Sequence, residues 1–327
     1  MFFDRERELD KLLRLVSAEP NLITFVYGPI NSGKTALMTE FIEKLPNDYV
    51  TFYINLRGRF INSYGDFMKV LFSVKEGSVK ELLAELLKSG LAYGGIPVPE
   101  GIFRKLLEDE KEDPFLFLEN YLRELVERGK RPLLILDELQ VIGDLELDGP
   151  LIYRLFNFFV RLTKETHLSH VFLVTSDSLF IEKVYNEAML HGRAEYFLVD
   201  DFDRRTALEF LWKLGLNASE AELVWNYFGG KPVYLAEAPK HRDELKEWCE
   251  RTLRLRVQSI NALIGGRKGL VNLLREFVDK DSIPFDGRVS KVLTKLVKAN
   301  VLFVDPLNGV VRPQGRLELL AIRRLLG

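Results

Sequence analysis

A chain of 327 residues exceeds what one hydrophobic core supports. Its 47% hydrophobic and 29% charged residues, at a mean hydropathy of −0.03, exclude intrinsic disorder. No run approaches the ~18 apolar residues of a membrane-spanning helix, and MFFDREREL brings charge at Asp4, Arg5 and Glu6 before any apolar leader forms, so a cytoplasmic protein without a membrane partner is expected. The lone cysteine, Cys249, excludes an intrachain disulfide and any multi-cysteine metal site.

The net charge of −2 hides an asymmetry: 15 of the 46 Lys and Arg but only 6 of the 48 Asp and Glu fall in 251–327, a local +9 against −11 for the rest. A basic tail on an acidic body points to an anionic partner, nucleic acid first, or to neutralisation of the body itself.

Apolar, β-branched and aromatic runs at 22–27 (LITFVY), 49–54 (YVTFYI), 133–137 (LLILD), 171–176 (VFLVTS) and 195–199 (EYFLV) have the length of buried strands. Helical patterns separate them, among them TALMTEFIEKL, FLFLENYLRELVERG and LIYRLFNFFVRLTKE. The alternation predicts an α/β fold, a five-stranded parallel sheet with helices on both faces. Residues 62–112 read as an insertion, a loop or lid that covers the site or meets a partner. Beyond Asp200 helices dominate, and from about 267 the order becomes helix, helix, an extended pair joined through Asn308-Gly309, and a last helix. The expected division is an α/β core over 1–200, a helical lid-like subdomain over 201–264 and a winged-helix-like domain over 265–327.

GPINSGKT, residues 28–35, matches G-x-x-x-x-G-K-[ST] and stands between an expected strand and an expected helix. Gly28, Pro29, Ile30, Asn31, Ser32, Gly33, Lys34, Thr35 and Ala36 are therefore the candidate phosphate-binding residues. Their backbone N–H groups and the helix dipole attract the β- and γ-phosphates of ATP. Lys34 adds a catalytic point charge, and the Thr35 hydroxyl a ligand for Mg²⁺. Asn31 suits a loop centre that needs positive φ, which few residues other than glycine tolerate. In LLILDELQ an apolar strand delivers Asp137 at its carboxyl end, where open α/β sheets bind ligands. Asp137 is the second candidate metal residue, and Glu138 the general base that polarises the attacking water. YVTFYI lies between the two motif strands in sequence, which fits the P-loop branch with an extra strand between them.

The succession FFDRERELDKLL, GPINSGKT, YINLR, LLILDELQ, LVTSDS, HGRAEYFLVDDF and GGKPVYL resembles the archaeal ATPase family of the STAND class, relatives of the AAA+ and origin-recognition ATPases, over roughly residues 2–240. The resemblance implies that Phe3 and Arg5 border the adenine pocket and that Ser176 or Thr175 senses the γ-phosphate. It also implies that Arg193 reaches a γ-phosphate, often across a subunit boundary of a homo-oligomer, and that Pro232 lies behind the nucleotide. Lys231 departs from the arginine that AAA+ relatives use as a second sensor.

On an expected helix 288–299, Val289, Val292, Leu293, Leu296 and Val297 would face a core. Arg288, Lys291, Lys295 and Lys298 would share an arc of about 80°, as on a helix presented to phosphates. The partners expected through 265–327 are double-stranded DNA or a protein, with Phe303 in the hairpin serving either. The function expected is a nucleotide-driven, ATP-hydrolysing switch; the alternative is a slow-turnover signalling module whose terminal domain binds a protein.

Overall fold

The computed structural model describes residues 3–61, 63–107, 112–142, 151–180 and 190–327. The strands are β1 (Ile23–Tyr27), β2 (Tyr49–Asn55), β3 (Phe72–Lys75), β4 (Leu91–Tyr93), β5 (Ile96–Pro99), β6 (Arg131–Asp137), β7 (His170–Thr175), β8 (Ala194–Leu198), β9 (Ile283–Pro284), β10 (Leu302–Asp305) and β11 (Val310–Pro313). Six of them form a parallel sheet in the order β4-β2-β6-β7-β1-β8. The fold is α/β, as the alternation of runs predicts, and β1, β6 and β7 are buried almost throughout because helices cover both faces.

Two expectations are corrected. The sheet has six strands, not five, because the insertion contributes β4, whose Leu91 pairs with Thr51 of β2. Three residues bracketed by Gly90 and Gly94 carry no period-two signal; the free edge of β2 makes them a strand. The strand that separates the two motif strands in space is β7, whereas β2 lies on the far side of β6. Sequence order does not reveal this, because each crossover can step over a neighbour.

The insertion is built into the core. Residues 62 and 108–111 lie outside the described residues. Its helices Tyr64–Leu71, Val79–Ser89 and Glu100–Leu107 and the parallel pair β3–β5 send Phe67, Met68, Leu83, Ile96 and Leu106 into the main apolar cluster. On the opposite face, helices Glu6–Ser17 and Lys34–Glu43 bury Leu12, Leu37 and Phe41 against Val26, Ile135 and Phe172.

The helices after Asp200 and the terminal elements share one apolar core, in which Ala207, Phe228 and Leu253 meet Leu274, Leu296 and Ile322. β10 and β11 form the hairpin signalled by Asn308-Gly309, with Gly309 at φ +62°, and β9 extends it to three strands. The lysine-bearing helix runs only over Lys291–Lys298, because the Ser290 hydroxyl accepts from Leu293 N and sets its start. Arg288 and Val289 therefore precede it, and Val289 is exposed rather than in the core. Phe303 is fully buried. Among the described residues no helix is long and apolar enough to cross a membrane.

Phe25, at the centre of β1, lies between Phe156 at 6.0 Å and Tyr196 at 5.4 Å and is fully buried. Phe25→Ala is expected to lower unfolding free energy by about 3–5 kcal/mol, read from the midpoint of urea denaturation.

Candidate phosphate-loop site

At the carboxyl edge of β1 the chain turns through residues 28–33 into helix Lys34–Glu43. A Cβ on Gly28 would stand 2.0 Å from the Val199 carbonyl oxygen, so only glycine lets β1 leave beside β8 there. Asn31 has φ +61° and Gly33 φ +94°. Left-handed Asn31 is the conformation its residue type anticipates. The helix that follows has no side-chain cap, so its first amides face the loop without intrahelical partners. Beside them the Ser32 hydroxyl is buried and without a partner. An uncapped helix end with an orphaned donor fits a bound anion.

Lys34 reaches back over the loop, its Nζ donating to Gly28 O at 3.0 Å and Pro29 O at 2.8 Å. Burial, reinforced by the neighbouring positive charge of Lys231, pushes its amine down to about 8. The Thr35 hydroxyl donates to Asp137 Oδ2 at 3.1 Å, which joins the two motifs. Asp137 is buried; its Oδ2 also accepts from the Tyr53 hydroxyl at 2.6 Å and its Oδ1 from Glu138 N at 2.9 Å. Burial and the adjoining carboxylate push the Tyr53 phenol up. A hydroxyl and a carboxylate are hard oxygen donors, the set that magnesium prefers.

Glu138 sits at φ +61°, an uncommon conformation that turns its side chain toward the cleft. Its Oε1 accepts from the Arg57 guanidinium and its Oε2 from Gln140 Nε2 at 2.5 Å. The Gln140 side chain also joins Ser176 Oγ at 3.3 Å and Thr175 Oγ1 at 2.7 Å. Both candidate sensors therefore belong to one network with the candidate base.

A cleft of about 330 Å³ opens over the loop, lined by Phe3, Arg5, residues 30–37, Arg57, Glu138, Ser176, Phe202, Phe210, Pro232, Val233 and Ala236. Phe3 packs at 4.9 Å from Phe210, and the Arg5 guanidinium lies 4.6 Å from the Phe202 ring centre. Arg5 further donates to Ser32 O at 3.1 Å and to Asp200 O. The aromatic wall of the cleft thus carries one cation, Arg5 on Phe202, while Lys34 and Arg57 line the cleft as well.

Arg193 is the candidate residue that stays apart. It precedes β8, and its carbonyl accepts from Ile23 N at the start of β1, on the opposite edge of the sheet from the loop. Conversely, Tyr53, Arg57, Gln140, Phe202 and Phe210 join the site without having been singled out. Arg57 and Gln140 stand inside the motifs YINLR and LLILDELQ, which was the available signal.

The terminal domain also reaches the loop. Ile30 N donates to Gln314 Oε1 at 3.1 Å, and Lys231 Nζ donates to Ile30 O at 3.1 Å and Gln314 O at 2.8 Å while pairing with Asp201 at 2.9 Å. Tyr27 OH donates to Asp305 Oδ1 at 2.9 Å, Arg312 pairs with Asp200 at 2.6 Å, and Phe303 stacks on Tyr27 with centroids 6.3 Å apart. The hairpin is therefore docked on the core, and Lys231 pins loop, core and terminal domain together.

A parallel α/β sheet with this loop at its carboxyl edge defines the P-loop ATPase fold. The chain belongs to the ATPase domain family found predominantly in Archaea, whose model matches residues 2–238; residues 243–326 match the C-terminal domain of MJ1010-like uncharacterized ATP-binding proteins. Two uncharacterized ATP-binding proteins of Pyrococcus abyssi are similar along their whole length. One is 56% identical and the other 60%, each match covering 100% of this chain and 99% of the relative. Among solved structures, the Walker-type ATPase of Pyrococcus abyssi superposes with a TM-score of 0.65 at 19% identity, over 98% of this chain and 96% of that one. The ADP form of the Aeropyrum pernix ORC2 protein gives 0.53 at 13%, over 98% and 93%. At these identities the likeness is one of fold.

An anion in the loop favours protonated Lys34, which loses its proton as pH rises through about 8. Affinity for inorganic triphosphate, followed by calorimetry, should hold steady below pH 8 and fall above it by up to about tenfold per pH unit, a decline that Lys34→Arg removes.

Proposed function

We propose that the protein binds Mg-ATP and hydrolyses its β–γ bond, with the terminal domain responding to the nucleotide. The observation that carries this reading is the hydrogen bond between Thr35 and Asp137, which sets a hydroxyl and a carboxylate together beside an uncapped helix end. The ATP-binding names of the full-length relatives support it. In this reading the aromatic wall of the cleft takes the base, the loop takes the phosphates, and Thr35 and Asp137 hold magnesium. The ion, when bound, neutralises charge that develops on the phosphate oxygens. Glu138 accepts a proton from the attacking water, while Ser176 and Thr175 hold Gln140, and through it Glu138, in register with the terminal phosphate.

The switch is proposed from the contacts at Ile30. Its N–H and carbonyl are both held by Gln314 and Lys231, so any adjustment of the loop around phosphates alters the seat of the terminal domain. Arg193 lies a strand's length from its own cleft, so the role consistent with its position is a contact with the cleft of a second copy. DNA remains a proposed partner through Lys291, Lys295 and Lys298, which border one exposed depression of their helix. The hairpin has no free aromatic to offer, since Phe303 is buried. A second reading, the slow signalling clamp, draws support from Glu138, whose two oxygens are both engaged.

Glu138→Gln should keep ATP affinity within about twofold and lower phosphate release by about 100-fold or more; an unchanged, slow rate would favour the clamp. Double-stranded DNA should raise or lower turnover at low salt and lose its effect as salt increases. Equal rates with and without DNA across the series, together with no binding, would remove it as a partner.

A further inference from the structure

Three cations line the cleft among the described residues: Arg5, Lys34 and Arg57. Arg5 is buried and occupied by the carbonyl oxygens of Ser32 and Asp200. Lys34 is the loop's own lysine. Arg57 differs from both, since its side chain is 70% exposed while its acceptor among the described residues, Glu138, is 13% exposed. Its backbone is nonetheless held firmly. Arg57 N donates to Asn55 Oδ1 at 2.8 Å, Leu56 N to Asp137 O at 2.9 Å, and Arg59 N to Leu56 O at 3.1 Å, around a Leu56 that is fully buried. A rigid turn thus projects a long, solvated guanidinium across the mouth of the cleft, stitched to the strand that carries Asp137.

The arrangement has a chemical cost for hydrolysis. Arg57 on Oε1 and Gln140 on Oε2 each occupy acceptor capacity that Glu138 would otherwise offer to a water. A guanidinium prefers a phosphate, with its greater charge and bidentate fit, to a single carboxylate oxygen. We propose that Arg57 is the cleft's own arginine for the terminal phosphate. When a nucleoside triphosphate fills the site, Arg57 leaves Glu138 for the γ-phosphate oxygens, and that one movement both frees the base and neutralises the transferring group. Water oxygen then bonds to the γ-phosphorus, its proton passes to the freed Oε1, and the bond to the β–γ bridging oxygen breaks, leaving ADP and inorganic phosphate. A nucleoside diphosphate lacks the group that attracts Arg57, so the base stays capped. Arg193, on the far edge of the sheet, is not needed for this step within one chain.

The inference rests on the proposed hydrolysis, and its test separates the two. Arg57→Ala and Arg57→Lys are compared with the unaltered protein for kcat, KM, and affinity for ADP and for a slowly hydrolysed ATP analogue. Arg57→Ala should lower kcat by about 100-fold or more and weaken the ATP analogue by about tenfold relative to ADP, with ADP affinity unchanged; Arg57→Lys should restore part of both. A kcat that is unchanged or raised would mean that Arg57 only caps Glu138, and equal losses for ADP and the analogue would mean a structural role; either overturns the proposal. Should the unaltered protein turn over no ATP, the hydrolysis reading fails alone if Arg57→Ala still erases the preference for the triphosphate, and both fail if it does not.

Discussion

The hydroxyl of Thr35 and the carboxylate of Asp137 are 102 residues apart in the chain and 3.1 Å apart in space, and the rest of the site depends on that closeness. The parallel sheet imposes it. Because β1, β2, β6 and β7 run the same way, their carboxyl ends deliver Tyr27, Asn55, Asp137 and Thr175 to one edge. Each strand is an apolar run with a polar residue at its tip, and burying the run fixes the tip. The energy that positions the chemistry is thus hydrophobic burial in the sheet, while the hydrogen bonds set its final geometry.

Around this edge the protein arranges three kinds of surface. The loop offers amides and Lys34, the acidic strand end offers Asp137 and Glu138, and an aromatic wall forms where Phe3 meets Phe202 and Phe210. That wall joins the N-terminal segment to the helix Arg204–Lys213, and a hydrogen bond from the Thr206 hydroxyl to Asp4 at 2.5 Å closes the join. The cleft therefore lies between the sheet and the helical region, so a ligand within it touches both.

The terminal hairpin brings the distant end of the chain to the same place. Phe303 is shared with the main apolar cluster, and Tyr27 at the tip of β1 spends its hydroxyl on Asp305. Burial and that carboxylate push the Tyr27 phenol up, so the phenol keeps its proton and remains the donor of this contact. Lys231 carries a consequence of the same kind. An amine held by Asp201, Ile30 O and Gln314 O acts as a brace between domains, which is a different task from contacting a phosphate.

Local pattern by itself determined the phosphate loop, the acidic strand end, the buried parallel strands and the hairpin at Asn308-Gly309, because each is written in contiguous residues whose backbone demands are local. Left-handed Asn31 belongs with these, since its residue type already states its conformation. Only the tertiary structure decided the sixth strand, the place of β7 between the motif strands, the exposure of Val289 and the distance of Arg193 from its own cleft. The same holds for Phe210 and Gln314, drawn into the site from segments remote in the chain, whereas Tyr53, Arg57 and Phe202 stand inside motifs whose side-chain contacts only packing revealed. Which strand neighbours which, and which helix end meets which loop, follow from how whole apolar faces pack, and no single stretch of residues contains that information.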